Sequence, residues 1–296
     1  MRRLLTPGAR YMLGAALGFA LMGALVKLVG RRIPSQEIVL ARAVVSVFLS
    51  YSFVRRAGVP VLGTQRGLLL LRGTFGTCGL MMLFYAFTRL PYAEATVLQY
   101  THPVFTTIFA AMVLGEAIGA GLMMSIGTSL VGVMLVTKPQ ALLGLMGSVG
   151  GELDGLAAAA ALGAAVCSAS AYVTVRHLSR TENPHVIVLY FPLVAVPATL
   201  PFVLANPVWP TPFEWLCLAG IGVLTQVAQI CLTQGLSLEP AGRAMSLAYG
   251  QIVFAAVLGA MFFGEIPDLW TAAGTILIVG GTLIAARSSA RARATE

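Results

Sequence analysis

A chain of 296 residues that is 58% hydrophobic and 10% charged cannot cover a water-facing surface, because soluble domains carry about 25% charged residues. Apolar runs recur along the full length with no polar half, which excludes a large soluble domain and indicates one integral membrane domain. The net charge of +8 sits mostly on arginines that flank apolar segments, with no long basic run interleaved with aromatics, so it argues for orientation in a bilayer and against nucleic-acid binding.

Ten apolar spans follow in chain order, at 10–29, 36–54, 66–88, 93–113, 118–137, 154–175, 185–205, 212–235, 241–263 and 268–287. Each approaches the roughly 20 residues that cross a bilayer as a helix. The first starts basic, then apolar, then small, in the manner of a signal sequence, but a counterpart later in the chain makes it a span. Most connections are short, and the exception is the Gly-rich stretch 138–153 at the centre. The seventh span holds Pro192, Pro197 and Pro201 and is expected to be bent or broken. Gly14 and Gly18 have the small-xxx-small spacing of close helix contacts.

With the N-terminus in the cytoplasm, Arg2, Arg3, Arg10, Arg55, Arg56, Arg66, Arg176, Arg180, Arg287, Arg291 and Arg293 fall on the cytoplasmic side. Arg31, Arg32, Arg89 and Lys138 fall opposite. This is a positive-inside bias, and an even number of spans returns the basic C-terminal tail to the cytoplasm.

Residues 90–116, LPYAEATVLQYTHPVFTTIFAAMVLGE, align without a gap on 239–265, EPAGRAMSLAYGQIVFAAVLGAMFFGE, at an offset of 149. Pro91 meets Pro240, Tyr100 meets Tyr249, and Gly115 and Glu116 meet Gly264 and Glu265. ALGFA at 16–20 and IVL at 38–40 recur as ALGAA at 161–165 and IVL at 187–189. The fold class expected is therefore all-α integral membrane, with ten transmembrane helices as two five-helix repeats, 1–137 and 154–296, joined by the 138–153 linker. Five is odd, so the second repeat is inverted, and an inverted repeat is the architecture of a secondary transporter.

The stretch LRGTFGTCGLMMLFYAFTRLPYAEATVLQYTHPVFTTIFAAMVLGE, residues 71–116, resembles the drug/metabolite transporter superfamily in its ten-helix, EamA-type branch. The resembling features are the Arg-Gly opening of the third span, FYAF before Leu-Pro, AEA, the mid-helix proline and the closing Leu-Gly-Glu; Arg42 also resembles a family position. The resemblance covers essentially the whole chain. It implies carriage of small metabolites such as amino acids, vitamins or nucleotide-linked sugars, and a multi-pass place in a bacterial inner membrane. One departure is Ile252, where such chains often carry a second proline, so the ninth span is expected to be straighter than the fourth.

The fourth span sets a polar stripe, Thr96, Gln99, His102, Pro103 and Thr106, in the middle of an apolar run, with Tyr100 and Thr101 at its flanks. Lipid cannot satisfy such a stripe, so it faces protein or a water-filled cavity. Pro103 removes an N–H and frees a carbonyl about one turn earlier, near Gln99. Gln226, Gln229 and Thr233 form a second polar face, and Thr74, Thr77, Cys78, Met81 and Tyr85 a third. With Ser168, Tyr172 and the equivalent Tyr100 and Tyr249, they give a candidate binding cavity of amides, hydroxyls and aromatics. Each of these residues has a structural reading as well, a hydrogen bond between neighbouring helices. His102 is a candidate proton relay, its ordinary pKa lying near 6.5, and a neutral hydrogen-bonded imidazole is the other reading.

Glu94, Arg72 and Arg243 are candidates for coupling or for contact with an anion. Glu94 also suits the positive end of its helix, and Arg243 is expected to lean on Glu239. Arg42 and Arg72 lie one to two turns inside spans, where each can snorkel to head groups or contact a substrate carboxylate or phosphate, and snorkelling or structural pairing is the first expectation for Arg42. Glu116 and Glu265 follow glycines and are expected to open the next helix.

The function expected is secondary active transport, as exporter or exchanger, of a small polar or amphipathic metabolite such as an amino acid, with the bilayer and protons as further partners. Carriage of organic anions, nucleotides or vitamin-type metabolites through the intramembrane arginines is the alternative. No Walker motif is present, so the chain itself is not expected to burn ATP. A membrane-embedded enzyme would need grouped carboxylates, a nucleophile–base pair or a metal cluster, and finds little support, since only His102 of the three histidines lies mid-span. A channel would differ in showing flux that does not saturate. No cofactor or metal is expected, and Cys78, Cys167, Cys217 and Cys231 are too far apart for a metal or redox motif.

Overall fold

The structure, a computed structural model, describes residues 6–30, 32–90, 92–136, 154–264 and 269–292, with 92–94 and 285–292 described by backbone alone. The 138–153 linker, Glu265, the Glu94 side chain and the terminal arginines lie outside what is described.

Twelve helices occur among the described residues: α1 Pro7–Val29, α2 Ser35–Arg56, α3 Arg66–Arg89, α4 Tyr92–Gln99, α5 His102–Leu114, α6 Ala120–Val136, α7 Gly155–Leu178, α8 Pro184–Ala205, α9 Pro212–Leu238, α10 Ala241–Ala248, α11 Gly250–Phe263 and α12 Leu269–Ala292. Eight segments are long and apolar enough to cross a membrane, and the shorter apolar helices Ala120–Val136 and Leu269–Ile284 complete ten. α4 with α5 make the fourth crossing, and α10 with α11 make the ninth. The protein is an all-α integral membrane protein of two inverted five-helix repeats.

Local chemistry sets the helix ends. Thr6 accepts the Ala9 N–H ahead of Pro7, Asp154 accepts from Leu156 and Ala157, and Thr211 with Glu214 forms a capping box. Gly115 and Gly264, equivalent in the repeat, close α5 and α11 at φ of 67° and 64°, a left-handed conformation that glycine adopts without a Cβ penalty. Of the two outcomes expected for the proline-rich span, bent or broken, α8 is not broken: it runs as one helix through its three internal prolines. They are spaced five and four residues apart, so each deletes one backbone bond and leaves intact bonds between.

Inversion shows in the packing. α1 lies antiparallel to α9, with Gly8 against Glu239 at one end and Gly18 against Ala228 further along. α3 lies antiparallel to α7, Gly79 meeting Cys167 and Gly163 meeting Met82. These pairs are repeat mates of one another: Gly18–Ala228 and Gly79–Cys167 are one contact at the offset of 149, which corrects the offset of 145 implied by matching ALGFA at 16–20 to ALGAA at 161–165. α6 and α12, the fifth span of each repeat, touch backbone to backbone at Gly132 and Gly274. Gly14 takes no such close role, its nearest neighbour being the Cys231 sulfur at ordinary contact distance.

Loops tie the bundle at both faces. At one face, Arg32 Nε donates to Glu214 Oε1 at 2.8 Å and its guanidinium reaches the Trp209 carbonyl. At the other, the buried Glu182 carboxylate accepts from the Thr64 N–H, the Thr64 hydroxyl and the Gln65 N–H at 2.6–2.7 Å, holding the entry to α3. Burial pushes the Glu182 carboxyl up, but those three donors outweigh it and hold it below the usual carboxylate range. A depressed folded pKa contributes stability that is present above the unfolded value, near 4.3, and is lost as pH falls through the lower folded value. Glu182→Gln should therefore melt lower than wild type at pH 7, and its melting temperature should fall less steeply on acidification. Parallel slopes in a pH-dependent melting series would refute the assignment.

Candidate functional site

The fourth and ninth crossings are both interrupted, at Tyr100–Thr101 and at Tyr249. The ninth span, expected to be straighter than the fourth, is interrupted as well, at one residue against two, with Ile252 in place of proline. In the fourth span the Val104 N–H turns back to the Thr101 carbonyl, leaving the Tyr100 carbonyl outside the helical ladder. The Tyr249 hydroxyl donates to that carbonyl at 2.9 Å. The freed acceptor that finds this partner is thus at Tyr100, one residue past the position expected near Gln99. The two tyrosine rings stack with centroids 6.1 Å apart. Residues related by the repeat offset touch here, so the pseudo-twofold axis runs between them.

On this axis lies a cavity of about 450 Å³. Many of its wall positions come in repeat-related pairs 149 residues apart: Gly23 with Tyr172, Arg42 with Phe191, Leu80 with Gln229, and His102 with Gln251. At three of these pairs the halves differ, with Tyr172, Arg42 and Gln229 standing opposite Gly23, Phe191 and Leu80, while His102 and Gln251 are both polar. Met12, Leu232 and Met245, all buried, form the floor against the largest apolar cluster. The walls continue along α1 to Val26 and along α3 to Phe87, becoming accessible around Met22 and Gly23. The cavity therefore extends toward the face that carries the C-termini of α1 and α3.

The opposite face is tied shut beneath the floor. Arg176 Nε donates to Glu116 Oε1 at 3.0 Å, and its Nη1 donates to the carbonyls of Leu236 and Ser237 at 2.9 and 2.7 Å. The other Glu116 oxygen accepts the Ala241 N–H at 2.7 Å. Glu116 does serve a helix N-terminus, but that of α10 in the other repeat rather than that of α6, which starts at Ala120.

Of the residues singled out from the sequence, Thr96, Gln99, Tyr100, His102, Ser168, Tyr172, Gln229 and Arg72 lie on the cavity wall. Gln99 Nε2 donates to the Ser168 hydroxyl at 3.2 Å, and Arg72 Nη2 donates to Gln229 Oε1 at 3.1 Å. The His102 ring meets Tyr172 edge-on at 5.5 Å and Tyr100 at 6.0 Å.

The structure puts the others elsewhere. Tyr85 is on the exposed flank of α3, under the Arg89 guanidinium. Thr106 is buried and donates back to the His102 carbonyl at 2.8 Å. Gln226 faces α2 and donates to the Ser50 hydroxyl at 2.7 Å, away from the cavity. Tyr249 is fully buried behind Tyr100. Arg243 pairs with Glu239 at 3.6 Å near the closed face. The Glu94 side chain lies outside the described residues.

Arg42 corrects the snorkelling expectation. It turns inward, its Nη1 3.9 Å from the Met22 sulfur and its guanidinium over the Phe191 ring at 5.8 Å. Arg72 lies over the same ring at 5.2 Å and is only 3% exposed. Gly73 and Gly76 let α8 come this close, since a Cβ on either would clash with Tyr190 or Phe191. Phe191, Met22 and Met245 were missed because an apolar residue in an apolar span carries no mark in a single sequence. Phe191 could have been found by asking what stands 149 residues from Arg42.

A family model described as the EamA-like transporter family matches residues 6–138 and again 155–287. The pseudopaline exporter CntI of Pseudomonas aeruginosa is 32% identical over 286 residues, covering 96% of this chain and 98% of that protein. The riboflavin transporter of Vibrio cholerae is 27% identical, over 92% of this chain and 90% of its own. A solved crystal structure shares the fold at a TM-score of 0.82, with 21% identity over 94% of this chain and 96% of the other.

Proposed function

The chain belongs to the EamA-like transporter family, and from that premise we propose that it is a secondary active exporter moving a small amphipathic metabolite by alternating access. The observation that carries this reading is the axial cavity, built from equivalent positions of two inverted repeats, accessible toward one face and tied at the other by Arg176 and Glu116. Exchanging the conformations of the repeats would close the first face and open the second. Residues 1–137 and 154–296 are the two exchanging halves in this reading.

The arginine distribution supports cytoplasmic termini in a bacterial inner membrane, which makes the described state outward-facing. Export is favoured over import by the likeness to the pseudopaline exporter across nearly the full length of both proteins. Gln99, Tyr100, His102, Tyr172 and Gln229 are the proposed substrate contacts, and His102 is the proposed site of proton coupling.

Purified protein in proteoliposomes tests the reading by counterflow with labelled amino acids, organic acids and vitamins. Flux of at least one solute should saturate and should accelerate when the same solute waits on the other side. Flux that rises linearly with concentration would make the protein a channel. Repeating the assay with an imposed proton gradient should change the rate in wild type and leave His102→Gln unchanged. A second reading, carriage of organic anions, is favoured by the inward turn of Arg42 and Arg72.

A further inference from the structure

We infer that the cavity is an anion site, and that the cargo is an amphipathic organic carboxylate whose carboxylate lies between Arg42 and Arg72 while its apolar body lies along the methionine-lined wall. This rests on the transport reading above and names its substrate class.

Two guanidiniums flank a single aromatic ring, Phe191, on one side of the cavity. Among the described residues that line the cavity there is no aspartate or glutamate. Buried cations are ordinarily paired, because an uncompensated charge out of water is costly. Among the described residues, buried Arg72 has only the neutral Gln229 amide as a hydrogen-bond partner, and half-buried Arg42 only the Met22 sulfur. The Nε of each is buried without a protein partner. An arginine presents its Nε and one Nη as a fork that matches the two oxygens of a carboxylate. Both arginines line the cavity, and each keeps an enclosed Nε–H that no described protein group accepts. The repeat equivalent of Arg42 is Phe191 itself, and Arg72 falls opposite Ile221, so the second half supplies no cation at either place. Among the described lining residues both arginines come from the first repeat, and Met12, Phe19, Met22 and Met245 add apolar surface beside them. A zwitterion would bring an ammonium group into this field with no carboxylate to receive it, so a net anion fits better than a free amino acid.

The test is ligand-induced thermal stabilisation of the purified full chain with benzoate, 3-phenylpropionate, indole-3-acetate and octanoate, each beside its neutral primary amide. At least one acid should raise the melting temperature, and its amide should bind about tenfold or more weakly, as loss of a charged hydrogen bond predicts. Arg72→Gln and Arg42→Gln should each remove that preference, while Arg72→Lys keeps part of it. The unliganded melting temperature of Arg72→Gln should equal or exceed that of wild type, because an unpaired buried charge has been removed. A purely structural arginine would give a lower one. Acid and amide binding equally, no response to any acid, or acid binding unchanged in both glutamine variants would each overturn the inference. The counterflow assay separates this from failure of the transport reading: saturable exchange of a neutral or cationic solute would keep the carrier and discard the anion.

Discussion

Arg176→Ala should open the face that is closed in this structure. The guanidinium ties four elements together, through Glu116 after α5, the last carbonyls of α9 and, by way of Glu116, the first N–H of α10. Truncation leaves two carbonyls and a carboxylate without their shared donor. Breaking a buried pair from one side costs roughly 3–5 kcal/mol. The lower end of that range is expected, because 16% and 13% of the two side chains stay in contact with solvent. The loss falls on the state in which this face is shut, so the population should move toward the other. In a background without the four native cysteines, a cysteine at position 12, on the cavity floor, should resist a membrane-impermeant maleimide offered from the side of the α1 N-terminus. Adding Arg176→Ala should make it react. A lower melting temperature with no gain in labelling would reduce Arg176 to a structural tie. Arg176→Lys should fall between, since an ammonium can keep Glu116 but does not span to both carbonyls.

The second large effect is expected at Gly274. A Cβ there would stand 2.5 Å from the Gly132 carbonyl oxygen and 2.9 Å from the Val136 nitrogen. Both are backbone atoms of α6, so no side chain can swing aside, and the helices must separate. Overpacking of this kind costs about 3 kcal/mol or more when backbone has to move. Gly274→Val should therefore lose most folded protein in size-exclusion chromatography. Gly280, on the same helix with nothing within 4 Å of its would-be Cβ, is the matched control. Gly280→Val should elute and melt like wild type. Equal behaviour of the two variants would mean that α6 and α12 do not pack this closely.

Hydropathy alone placed the ten crossings, because a bilayer core demands long apolar runs and the connections here are short. Placing side chains around those helices was harder. Gln226 and Gln229 share a polar face in sequence, yet one turns to Ser50 on α2 and the other to Arg72 in the cavity. Which neighbour each meets depends on the rotation of α9 against α1 and α2, and no local pattern encodes that. Tyr85 looked like a wall residue because it shares spacing with Thr74 and Thr77, but the true wall of α3 is set by Gly73 and Gly76, which admit α8. The break at Tyr249 carries no proline to announce it. Tyr249 is donor to a carbonyl in the other repeat, a contact that only the assembled fold supplies. Arg42 misled for a different reason: a long cation near a helix end has two destinations, and the Phe191 ring decides between them.

The bond between Tyr249 and the Tyr100 carbonyl joins two positions that the pseudo-twofold axis interchanges. In the proposed exchange of the repeats, the bond equivalent to this one would be a Tyr100 hydroxyl on the Tyr249 carbonyl, a carbonyl that here accepts the Ile252 N–H. The centre would then trade one such bond for its repeat equivalent. The rims, by contrast, are not alike. The repeat partner of Arg176 is Lys27, an ammonium seated 4.6 Å over the ring of Phe263. The two rims thus carry different cations, a planar guanidinium fork on one and an ammonium on the other, which differ in the geometry of the donors they offer. Direction and resting state would then be tuned by surface substitutions far from the cargo, leaving the recognition of that cargo untouched.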